Sequence, residues 1–239
     1  MGGNMKKIIW ICFLISYIIS AQTKDPLKVI NGVIEKFEKI RDYEVDVNIK
    51  IDFSMVKIPE MNAKYYFKQP DKVKIDSKGF AMLPKQSVNF SPAQYLRGDY
   101  TAIYVKSENE NNRTYDVIKI IPNNDSSDVI LSTLWIDQIQ KVVKKVETTG
   151  KRSGTVNIEI EYENEKSILP KLVKFTFNAG NNSATPEANK NKEEPKEERP
   201  NFRRNAQMSG KVFVTYSNYK INKGIPDSFF EEKNNLPQK

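Results

Sequence analysis

The chain has 239 residues, of which 28% are charged, with a formal net charge of +8 and no histidine. This length suits one large β domain or two small ones. With a single cysteine, Cys12, and no imidazole, the commonest nucleophile–base pairs and the usual zinc ligands are missing, so no enzyme, cofactor or metal is expected. The lysines are spread along the chain rather than gathered on one face, which argues against a nucleic-acid partner.

In chain order, Lys6 and Lys7 come first and precede an apolar run from Ile8 to Ile19. A run of about 12 apolar residues is too short to cross a bilayer as a helix and suits the core of a secretory signal. Cleavage is expected after Ala21. Residues 1–21 are then a signal peptide, and residues 22–239 are one exported, soluble domain. Loss of Lys6 and Lys7 lowers the charge from +8 to +6, which permits a mild attraction to anionic membrane surfaces.

Asp25 to Arg41 reads as an amphipathic helix. Asp25 can cap it, Pro26 suits the first helical position, and Leu27, Ile30, Val33, Ile34, Phe37 and Ile40 share one face. Tyr43 to Phe53 then alternates without a break. Tyr43, Val45, Val47, Ile49, Ile51 and Phe53 are apolar or aromatic, and Glu44, Asp46, Asn48, Lys50 and Asp52 between them are polar. That is one long strand with an apolar side and a wet side.

Ala63 to Lys68 and Lys72 to Asp76 follow as strands around a turn at Gln69 to Lys72, where Pro70 and Asp71 supply the turn chemistry. Gly79 to Tyr100 is apolar but irregular, with a short helix expected after Ser91 and Pro92. It reads as a segment packed into the core mouth or as a lid. Thr101 to Val105, a polar turn at Ser107 to Arg113, and Thr114 to Ile121 make a hairpin. Val129 to Ile136, Val142 to Thr148, Thr155 to Tyr162 and Leu172 to Phe177 continue the series. Residues 178–207 are dense in Asn, Lys, Glu and Pro and are expected to be a disordered insertion between two strands. Gly210 to Asn218 is the closing strand, and Ile225, Phe229 and Phe230 can pin the tail that follows it.

About ten strands at a spacing of about 4.8 Å make a sheet roughly 45 Å wide. One helix about 25 Å long and about 10 Å across hides only a fraction of such a face. The expected fold class is therefore mainly β (α+β), an antiparallel sheet curled into a partial or whole barrel with room for a ligand. The alternation nominates Val45, Val47, Ile49, Ile51, Phe53, Tyr65, Phe67, Val73 and Ile75 as cavity lining, with Met82, Leu83 and Leu96 as lid contacts. For each, ordinary core packing against the helix is the alternative.

The order of these pieces is similar to the LolA-like family of periplasmic outer-membrane lipoprotein carriers and their relatives. The resemblance rests on the hairpin at Phe67, Lys68 and Pro70, on Trp135-Ile136-Asp137 leading into a lysine-rich strand, and on Ile225-Pro226-Asp227 with Phe229 or Phe230 at the close. It implies a strongly curved antiparallel sheet forming an incomplete barrel, with helices as a lid. It also implies a monomeric carrier or chaperone that binds acyl chains of lipoproteins, or other lipids, between an inner-membrane donor and an outer-membrane acceptor. A sensing module of the same fold that reads envelope lipids or lipoproteins is the alternative, and a ligand-free structural envelope protein is a third reading.

Overall fold

A computed structural model describes residues 24–53, 56–76, 96–151, 154–178 and 210–231. The expected signal peptide, the insertion beyond Asn178, and Met82 and Leu83 lie outside these residues, as does most of the short helix expected after Pro92. Within them, residues 96–99 form a turn and bends.

Helix α1 spans Pro26–Glu38, with an Asp25 carboxylate oxygen accepting from the Leu27 N–H at 2.9 Å. It stops three residues before Arg41, and the reason lies at the other end of the chain. The Asn222 side chain accepts from the Arg41 N–H at 2.7 Å and donates to the Lys39 carbonyl at 3.0 Å. These bonds satisfy the backbone groups that a further helical turn would have paired, and they release the chain into a strand.

The strands are β1 (Asp42–Phe53), β2 (Val56–Lys57), β3 (Met61–Lys68), β4 (Lys72–Asp76), β5 (Tyr100–Glu110), β6 (Arg113–Pro122), β7 (Val129–Asp137), β8 (Val143–Gly150), β9 (Gly154–Glu161), β10 (Leu172–Asn178) and β11 (Gly210–Ile221). They form one antiparallel sheet in the order β4-β3-β1-β11-β10-β9-β8-β7-β6-β5, with β2 folded back on β1. From β5 to β11 it is a meander; β11 then pairs β1, which brings the first and last described strands side by side. The sheet is not closed: among the described residues, β4 and β5 remain its two edges. The result is an incomplete barrel.

Two strands run longer than the polarity of their sequence suggests. The polar stretch Ser107 to Arg113 is not a turn. β5 continues to Glu110, β6 starts at Arg113, and only Asn111 and Asn112 turn, with φ of 49° and 61°. A two-residue hairpin of left-handed residues matches the twist of the flanking strands, and asparagine tolerates that conformation. β11 likewise passes Asn218 to reach Ile221. Asn218, at φ 57°, sits where the register slips between Glu44 and Asp46, and its side-chain amide donates to Asp46 at 2.8 Å.

Alternation along β1 places Tyr43, Val45, Val47 and Ile49 in the core, with Ile30, Val33 and Phe37 of α1 in the same cluster. Phe37 meets Phe67 at 5.6 Å between ring centroids, and Tyr43 meets Phe67 at 5.2 Å. The tail crosses the outer face of β3 and β4. Asp227 pairs with Lys68 and Lys72, and Phe229 lies edge-on to Tyr66 at 4.7 Å beneath the Lys74 ammonium. The hairpin and the closing segment, noted separately in the sequence, are therefore one contact.

Candidate functional site

The concave face can be read as rows running across the strands. The first row, Ile49–Val214–Val173–Ile160, is fully buried. The second runs Ile51–Val212–Phe175–Ile158–Val146–Leu134–Ile118–Tyr104. The third runs Phe53–Gly210–Phe177–Val156–Thr148–Ser132–Ile120–Ala102 along the same strands. Burial falls from row to row, and in the third only Ile120 is fully buried. One side of the sheet thus carries an apolar surface that grades from core to opening.

Within this surface, β5 to β9 wall a cleft of about 360 Å³, with buried Leu134, Val143 and Ile158 at its depth, half-buried Val146 beside them, and half-buried Tyr100, Pro122 and Val129 toward its mouth. That volume lies at the low end of small-molecule sites, roughly 300–1,000 Å³. Its polar side chains are engaged. Ser132 Oγ donates to Thr148 Oγ1 at 2.9 Å, and the Tyr100 hydroxyl donates to the Leu96 carbonyl at 2.8 Å. Burial raises the Tyr100 hydroxyl above its ordinary pKa, so it stays a neutral donor.

The end of the half-barrel under α1 is fastened by polar groups. Buried Asp116 accepts from the Lys24 ammonium at 2.8 Å, from Gln138 Nε2 at 2.7 Å and from the Tyr104 hydroxyl at 3.1 Å. Beside it, Asp137 shapes the β7–β8 turn by accepting from the N–H groups of Ile139 and Gln140 and from Arg113. Burial pushes the Asp137 carboxyl up. The Gln140 N–H, the Arg113 guanidinium and the Ile139 N–H outweigh it and hold the group below the usual carboxylate range.

The residues nominated from sequence divide three ways. Val45, Val47, Ile49, Tyr65, Phe67 and Leu96 are buried in the cluster that contains the helix, which is the packing alternative. Ile51 and Phe53 lie in the second and third rows, and Val73 and Ile75 are half-buried on the edge strand β4. None of the nominated residues that are described walls the cleft. Of the residues that do wall it, Ser132 and Leu134 come from Val129–Asp137, which is apolar on both faces, so that alternation there does not tell inside from outside, whereas Ile158 lies on a strand where Val156, Ile158 and Ile160 alternate cleanly with polar residues. Their face is fixed by the register Leu134–Val146–Ile158.

No protein-family model and no curated protein matches the chain by sequence. Solved structures do match by shape. A LolA superfamily protein from Nitrosomonas europaea superposes with a TM-score of 0.51 at 14% identity, covering 85% of this chain and 97% of that one. The fold is LolA-like. A DUF1329 family protein from Desulfovibrio piger matches with a TM-score of 0.54 at 11% identity, over 87% of this chain and 98% of that one. A domain assigned to outer membrane lipoprotein sorting in Vibrio parahaemolyticus gives 0.51 at 12% identity, over 86% and 97%. At these identities the likeness is one of fold. Among the described residues, no helix is long and apolar enough to cross a membrane.

Proposed function

We propose that this LolA-like protein is a periplasmic carrier. It takes acyl chains of lipoproteins, or other lipids, into the concave face and moves them from an inner-membrane donor to an outer-membrane acceptor. The observation that carries the reading is the gradient of burial across the three rows. The first row is sealed beside α1, whereas the second and third present a graded apolar wall with a cleft in it. Each methylene buried there contributes about 0.8 kcal/mol, so about ten carbons of a chain supply roughly 8 kcal/mol, the scale of micromolar binding that is firm yet reversible.

The test is native mass spectrometry and lipid extraction of the protein purified from the cell envelope. Copurifying acylated material is the expected result, and a protein free of lipid under both treatments would overturn the reading. Depletion in cells separates carrying from sensing. Lipoproteins retained at the inner membrane are expected, and normal sorting would leave lipid binding without transport.

A further inference from the structure

Along the third row, Phe53, Phe177, Val156, Ile120 and Ala102 are apolar and Gly210 has no side chain. The row is broken at one place, where Ser132 of β7 stands opposite Thr148 of β8. Both are half-buried, both wall the cleft, and immediately below them the second row is apolar at Leu134 and Val146. Two hydroxyls in an otherwise apolar band invite a functional reading, because a wall meant for hydrocarbon alone has no use for them.

Their hydrogen bonds leave capacity in one direction. Ser132 Oγ donates to Thr148 Oγ1 at 2.9 Å. The Thr148 hydroxyl has the Leu131 carbonyl as acceptor at 3.5 Å, the outer limit of such a bond. Thr148 can therefore turn its proton toward a better acceptor in the cleft. Being already an acceptor from Ser132, it is a stronger donor than an isolated hydroxyl. Elsewhere near the mouth, Ser127 Oγ accepts from the Val129 N–H, and Asp99 accepts from the Asn123 amide.

The geometry points to Ser132 and Thr148 as the pair that reads the polar end of the ligand. Thr148 donates to the carbonyl oxygen of an acyl ester or amide while the hydrocarbon tail lies against Leu134, Val146 and Ile158. The substrate class is then an acyl linkage rather than plain hydrocarbon, and the ligand has a fixed direction in the cleft, tail inward and linkage toward the mouth. This rests on the acyl-binding reading above and adds specificity to it.

The experiment uses the purified protein with a fluorescent apolar dye in the cleft, displaced by methyl decanoate or by undecane, which have the same number of carbons. A hydroxyl-free Ser132→Ala/Thr148→Val variant is compared with a Ser132→Thr/Thr148→Ser exchange, which keeps both hydroxyls and controls for folding. The hydroxyl-free variant is expected to bind methyl decanoate about three- to tenfold more weakly, the worth of one neutral hydrogen bond, with undecane unchanged. The exchange variant is expected to keep the wild-type ratio. If both competitors displace the dye and their ratio is the same in all three proteins, the hydroxyl pair is structural and the inference is wrong, while acyl binding stands. If neither displaces the dye from the wild type, the acyl-binding reading and the inference fall together.

Discussion

At the scale of single residues, two positions hold the concave sheet in shape by different physics. Asp137, with its side chain only 2% exposed, takes two backbone N–H groups and Arg113. Its carboxyl is held below the ordinary pKa by those partners against the opposing effect of burial. Because the folded value lies below the unfolded one, about 3.9, its contribution is full above that pH and is lost as pH falls through the folded value. Asp137→Ala is expected to cost about 1–3 kcal/mol at pH 7. Urea unfolding should show the gap to wild type closing below about pH 4 as the wild-type carboxyl protonates. Gly210 works by space: a Cβ there would stand 2.3 Å from Phe53 Cδ1. Gly210→Ala should cost about 1–3 kcal/mol by overpacking. In a Phe53→Ala background most of that penalty should vanish, which a double-mutant cycle measures.

At the scale of elements, α1 is a plug held by packing. Phe37 is 4% exposed and lies against Phe67, so Phe37→Ala should destabilise by about 3–5 kcal/mol in denaturant unfolding. The same cluster decides what a charge on β1 would do. Ile49 is 3% exposed within it, so Ile49→Asp would place an unpaired carboxylate in the core. Loss of the cooperative thermal transition is expected, not a folded protein with an emptied cleft.

At the scale of the whole molecule, the incomplete barrel leaves open a part of the apolar face that α1, the one α-helix among the described residues, does not cover. A closed barrel of ten strands would enclose its apolar rows completely, whereas this sheet leaves β4 and β5 unjoined among the described residues and its third row half-buried. Filling the cleft separates capacity from stability. Val146 walls the cleft and is only half-buried, so Val146→Trp should place an indole where a chain would lie. Loss of copurifying lipid is expected, with the unfolding midpoint within a few degrees of wild type. Lipid retained at the wild-type level would show that the ligand lies elsewhere on the concave face.

Much of this was legible in the chain itself. The period of two in Tyr43 to Phe53 fixed a strand with one buried face, and the cap at Asp25 with helical spacing up to Phe37 fixed the helix. The shortage of helix against so much apolar strand required a curled sheet. These features are local or compositional, and they survive any tertiary arrangement. The helix end at Glu38 was not legible, because Asn222, on the far side of β11, sets it. Nor was the length of β5, where polar residues on an exposed arm look like a turn until their partners across the hairpin are known. The cleft was the least visible feature. Alternation along β1 finds the residues that meet the helix, but which face of β7 and β8 looks inward depends on register, and register is a property of neighbouring strands. The sequence alone determined that an apolar surface exists and needs covering. Only the tertiary structure decided which part α1 covers, and that what remains open is walled by Leu134, Val146 and Ile158 under a pair of hydroxyls. Side chains distant in the chain become one surface only when the strands between them are paired.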